Sequence, residues 1–150
     1  MNNITFVVSD ESVNSYGMVT LTAGIDTSRF EQNPVMFYMH ERATIVGRWE
    51  NIRKEDDKLL ADAVFDDTTP IGKQVKDQVE KGFLRAASIG IEIVERKTIK
   101  GVDTVTKCIL NEISIVDVPA NENALKLYRR NGRNVLRLVE NVTDLRSAII

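Results

Sequence analysis

Residues 86–116, AASIGIEIVERKTIKGVDTVTKCILNEISIV, decide the fold. Ile89, Ile91 and Ile93 alternate with Ser88, Gly90 and Glu92, and Ile113 and Ile115 alternate with Glu112 and Ser114. A period of two marks a strand with one apolar and one polar side. Between the two runs, Lys100 and Gly101 suit the tip of an exposed hairpin. The stretch therefore predicts two half-polar strands, the second ended by Pro119.

Working outward, the clearest helix lies just upstream. Thr69 can cap it and Pro70 fits its first turn, while Ile71, Val75 and Val79 recur at spacing four and Gly82 can end it. Before it, TIVGRWENI and KLLADAVF flank the acidic RKEDD, a hairpin with a charged tip. NPVMFYMH is an apolar run after Pro34, closed by His40, and predicts a buried strand that delivers a polar side chain at its end. ITFVVS and GMVTLT are rich in β-branched residues and read as two more strands; GIDTSRFEQN reads as a loop. Downstream, ANENALKLYRR predicts a short helix with Asn121 as its cap.

Strands outnumber helices, and no repeat or Pro/Gly-rich linker divides the 150 residues. The expected fold class is α+β: a β-rich, barrel-like or strongly curved, mostly antiparallel sheet with one or two packed helices. Residues 1–125 should form the domain, with 126–150 a basic C-terminal helix or tail that is part of it or loosely attached. That last segment carries six basic residues against two acidic ones, a local charge of +4, which leaves −6 on the first 125 residues and −2 in all.

A net charge of −2 supplies no global basic field, so no nucleic-acid partner is expected. The start, MNNITFVVSD, lacks the charged and apolar regions of a secretory signal, and no apolar run is long enough to span a bilayer. No membrane partner is expected, and a single cysteine, Cys108, suits a reducing interior.

One histidine prunes the chemistry. Zinc held by His and Cys would have to recruit mainly carboxylates, so no metal or other cofactor is expected. Histidine-driven proton transfer must pass through His40, and the candidate partners are Ser88 and Glu112 on polar strand faces. A serine hydroxyl needs a base to take its proton, and the base needs a third group to fix its tautomer. Residue type alone leaves bland alternatives open: a structural histidine, a small residue beside Gly90, and carboxylate and hydroxyl groups facing water. No G-x-S-x-G elbow surrounds Ser88, which disfavours an α/β-hydrolase. Cys108, in the apolar stretch CIL, is a poor nucleophile candidate.

The order of local signals resembles the prohead (procapsid) maturation proteases of tailed bacteriophages. The segments that carry it are NPVMFYMH, IVGRWE, DDTTPIGKQVKDQVEKGFLRAASIGIEIVE and LNEISIVDVPANENAL, from about Met18 to Leu125. One departure stands out: Met18 follows the early glycine where the family commonly has an acidic residue, whereas Glu41 stands after the histidine, where an acidic residue is often found. The resemblance implies an assemblin-like fold and a serine endopeptidase. It lands the general base on His40, the nucleophile on Ser88 and the third member on Glu112, with Asp117 in reserve. It further implies the major capsid protein and its scaffolding segment as substrates, self-cleavage, self-association as in assemblins, and action inside the assembling procapsid in the bacterial host cytoplasm, for a phage or prophage. The alternative is a catalytically silent barrel of the same shape, used as a structural or scaffolding part.

Overall fold

The computed structural model describes residues 3–130 and 133–135. Ten strands and two helices follow one another in the order β1 (Ile4–Ser9), β2 (Met18–Thr20), β3 (Ile25–Asp26), α1 (Ser28–Glu31), β4 (Val35–Tyr38), β5 (Glu41–Glu55), β6 (Lys58–Phe65), α2 (Pro70–Glu80), β7 (Ala86–Ile99), β8 (Val102–Val116), β9 (Tyr128–Arg130) and β10 (Arg133–Val135). Eight of the strands form one sheet with the path β1-β6-β5-β4-β8-β2, and β3 and β7 also pair with β8. The class expected from the alternating pattern, a strongly curved sheet with two helices, is the one observed.

The long hairpin β7–β8 organises this sheet. Its strands pair antiparallel from Ala86↔Val116 to Ile99↔Val102, and the two residues between are Lys100 and Gly101, both at positive φ. A two-residue turn with both centres left-handed matches the twist of the flanking strands, which is why a glycine suits it. Register shifts after Gly90, Ile93 and Glu95 mark bulges, which bend the pair. Along its other edge β8 carries three short strands, all parallel to it: β2 beside Asp103–Val105, β3 beside Cys108–Ile109 and β4 beside Ile113–Ile115.

The core packs residues of the sheet, among them Phe6, Met36, Trp49, Leu110 and Ile113, with Val75 and Val79 of α2. Trp49 and Phe6 are buried with their rings edge to face at a centroid distance of 5.6 Å. The Trp49 indole Nε1–H donates to the Ile113 carbonyl at 3.0 Å, so β5 is tied to β8 through the core. Two residues earlier, a Cβ on Gly47 would stand 2.2 Å from the Val64 carbonyl oxygen, so only glycine allows β5 and β6 to approach there. The glycine-tryptophan segment thus fixes the depth at which β8 sits.

Helix α2 forms as its signals predict. Thr69 Oγ1 accepts from the Gly72 amide at 3.1 Å, Pro70 occupies the first turn, and Val75 and Val79 are fully buried. Gly82, at φ +80°, ends it. Lys126 Nζ then donates to the Val79 carbonyl at 3.0 Å, supplying a cation to the exposed end of the helix dipole. Burial there holds the Lys126 ammonium below the usual lysine range.

Two local expectations are corrected. GIDTSRFEQN is not simply a loop: Ile25–Asp26 form a parallel strand and Ser28–Glu31 one helical turn. Both are too short for periodicity to signal, and β3 exists because β8 offers a free edge. The helix expected from Asn121 does not form; Ala86↔Leu125 and Phe6↔Lys126 are β-bridges instead. Asn121 is spent elsewhere: its carboxamide donates to Asp10 at 2.9 Å and accepts from the Asn123 amide at 3.0 Å. In the basic segment, 128–130 pair with 133–135 as a two-stranded hairpin. The rest of the expected helix or tail, 131–132 and 136–150, lies outside the described residues.

Candidate active site

The site begins with an ordinary strand ending in an unusual turn. Strand β4 stops at Tyr38, which pairs with Glu41, leaving Met39 and His40 as the two central residues of a tight hairpin turn. Both are left-handed, at φ 55° and 60°, although neither is glycine. Side chains in this region cost about 1–3 kcal/mol each and persist only where surrounding contacts fix them. Here Met39 N–H donates to the Ile115 carbonyl at 2.9 Å, and His40 N–H donates to Ser114 Oγ at 3.2 Å. His40 is therefore not quite the end of a buried strand. It is a turn residue clamped onto β8.

Strand β8 supplies the next groups. Glu112 and Ser114 share one face by alternation, while Ile113 and Ile115 fill the core. One Glu112 oxygen meets His40 Nδ1 in a short contact. Its other oxygen accepts from Ser114 Oγ at 2.7 Å. The carboxylate is thus held from two sides, with its side chain 14 % exposed against 45 % for the His40 ring.

Strand β7 completes the face. Ser88 pairs directly with Ser114, and Gly90 with Glu112, so opposite residues put all four on one side of the sheet. A Cβ on Gly90 would stand 2.7 Å from the nearer Glu112 oxygen, so the carboxylate occupies the space that a side chain would take. Ser88 and His40, with Glu112 and Gly90, line one cavity of about 440 Å³. Tyr16 and Val118, both largely exposed, stand at its rim. No hydrogen bond joins Ser88 to His40. Among the described residues no buried side-chain polar atom lacks a partner, and Ser88 Oγ, which bonds none of them, keeps contact with the cavity.

Of the sequence candidates, the fold brings His40 and Glu112 into direct contact and sets Ser88 in the same cavity. It leaves Asp117 apart: exposed, with its carboxylate accepting from the Val118 amide at 2.8 Å. Cys108 is buried, and burial raises its thiol above the usual range. Among the described residues no group of three or more metal-ligating side chains converges, and no helix is long and apolar enough to cross a membrane. Sequence reasoning missed Ser114. It treated that hydroxyl only as part of a polar strand face, whereas it is fully buried and links Glu112 to the His40 backbone. Its one signal was alternation with Glu112.

A family model described as caudovirus prohead serine protease matches residues 4–137. The chain belongs to that family. The match spans the sheet, both helices and every residue of the cavity described above. No curated protein and no solved structure matches the chain. In this member of the family, Ser88 on β7, His40 in the β4–β5 turn and Glu112 on β8 are neighbours, with β8 in the middle.

Proposed function

We propose that this protein is a serine endopeptidase of procapsid maturation in which Ser88 is the nucleophile, His40 the general base and Glu112 the group that holds His40. The observation that carries this reading is the contact of His40 Nδ1 with the Glu112 carboxylate beside a cavity that Ser88 also lines. With Nδ1–H held by the carboxylate, the imidazole keeps its proton there and leaves Nε2 free as a base. Ser88 Oγ then attacks a scissile carbonyl while its proton passes to His40 Nε2. The C–N bond breaks, that proton leaves with the amine, and water releases the acyl group by the same exchange in reverse. Ser114 adds no proton to this sequence; it fixes the second carboxylate oxygen and the turn that carries His40.

Family membership supports capsid and scaffold segments as substrates, the protease's own chain as another, and the assembling procapsid in the host cytoplasm as the place of action. Purified protein incubated with the major capsid protein of its phage should give discrete fragments by mass spectrometry. Ser88→Ala and His40→Ala should each abolish them. Cutting that survives both substitutions removes the proposed chemistry, and Ser88 left unlabelled by an active-serine phosphonate favours a silent assembly part.

A further inference from the structure

The reaction cavity is not the only one that Ser88 touches. A second, more enclosed cavity of about 260 Å³ adjoins it, and Ser88, Ile89, Tyr16 and Ala120 line both. Its apolar wall comes from three strands: Val8 of β1, Met18 of β2, and Ile89, Ile91 and Ile93 of β7. These are the isoleucines of the alternating run, and Ile89 and Ile91 pack against the core without being covered by it.

The one carboxylate on its lining is that of Asp10, and it is already engaged. Its Oδ1 accepts from Ser12 N at 3.0 Å, Ser12 Oγ at 2.6 Å and Asn121 Nδ2 at 2.9 Å, and its Oδ2 accepts from Asn123 Nδ2 at 2.8 Å. The bonds tie the loop that carries Tyr16 to the turn that carries Ala120, which is work of positioning. A charged substrate group entering this cavity would lose its water and find only neutral hydroxyls and amides beside one carboxylate that is already engaged.

Resting on the protease reading above, we infer that this second cavity receives the side chain of a substrate residue next to the scissile bond, and that it selects an aliphatic one of Val, Ile, Leu or Met size. The occupant follows from continuity: a peptide whose carbonyl lies at Ser88 Oγ has its neighbouring side chains within reach of a chamber that begins at the same serine. The volume is below that of pockets that take whole small-molecule ligands, which suits a single side chain. Exposed Tyr16 at the shared rim gives the peptide backbone a flat apolar surface to lie on.

The test is digestion of a proteome-derived peptide library, with cut sites read by mass spectrometry. Cuts that depend on Ser88 should show Val, Ile, Leu or Met favoured about tenfold or more over Asp, Glu, Lys and Arg at one position flanking the cut, the discrimination expected of an apolar pocket. Ile91→Ala should shift that position toward Phe and Tyr. Ile93→Lys, at a residue 38 % exposed and so tolerant of change, should weaken the aliphatic preference and admit Glu. Ser88-dependent cutting without an aliphatic preference, or with one that neither variant moves, overturns this inference and leaves the protease standing. So does a preference for Lys or Arg, which would put the Asp10 charge in command. Absence of any Ser88-dependent cut overturns both.

Discussion

Two hairpin turns of this protein share a backbone and differ in purpose. Lys100-Gly101 joins β7 to β8 with φ values of 50° and 78°, and Met39-His40 joins β4 to β5 with 55° and 60°. The first places glycine where left-handed backbone is easiest and projects into solvent, with nothing within 4 Å of where a Gly101 Cβ would be. The second places a histidine in the equivalent slot and holds it with Ser114, Ile115 and Glu112. The difference teaches that a turn can carry an unfavourable residue where a neighbouring strand grips it, and that residue is the one proposed above as the base. Nothing in hairpin geometry asks for histidine there, whereas the proposed role of a base facing Ser88 across β8 does.

The sharpest way to break this comparison is to give the second turn the residue its backbone prefers. His40→Gly should lower peptidase activity about 10³-fold or more, the scale on which losing the base disables such sites. Thermal stability should hold or rise, because glycine takes this φ without a Cβ clash. Retained activity, or a collapse of the melting temperature, would mean that the histidine serves the fold instead.

Next in expected size is Gly90→Ala. The new methyl would crowd the Glu112 side chain from its Cγ outward rather than any backbone, so the fold should survive while the carboxylate is pushed off His40. We expect about a 10- to 100-fold drop in kcat, the equivalent of roughly 1–3 kcal/mol for a displaced hydrogen bond to a charged group, with KM little changed. Wild-type kcat in this variant would show that the carboxylate's place is not needed.

Gly101→Ala is the matching change in the other turn. It should cost about 1–2 kcal/mol of stability, the penalty for a Cβ in left-handed backbone, and leave cleavage untouched. Denaturant unfolding beside a peptide assay measures both, and a loss of activity without loss of stability would contradict the division of roles.

The smallest effect concerns acid. Burial raises the Asp62 carboxyl, but hydrogen bonds from Thr5 at 2.7 Å, Asn51 and Arg53 outweigh it and hold it below the usual carboxylate range. A carboxylate depressed on folding stabilises fully above its unfolded value, and that contribution is lost as pH falls through the folded one. Asp62→Asn should therefore flatten the acid limb of the stability curve while leaving both turns as they are. An acid limb as steep as in the unaltered protein would count against that bond network.

Much of the scaffold was legible because it rests on local signals. Thr69, Pro70 and Gly82 framed α2, the isoleucine alternation framed β7 and β8, and Lys100-Gly101 announced their turn. The short pieces were not legible. Strand β3 spans two residues, and its existence depends on β8 having an edge to offer. Asn121 was a sound cap by type, yet a buried carboxylate 111 residues away claimed its side chain.

By itself, the sequence determined that proton transfer through histidine had one residue to use, that the chain would fold as a curved β-rich sheet, and that polar and apolar faces would alternate on β7 and β8. These are properties of composition and period, which need no partner in space. Only the tertiary structure decided that Glu112 rather than Asp117 meets His40, that Ser114 turns from a surface hydroxyl into a buried clamp, and that Gly90 leaves room for a carboxylate. Those outcomes depend on register between residues from 22 apart (Gly90 and Glu112) to 74 apart (His40 and Ser114), and a shift of one residue would send these groups to the opposite face.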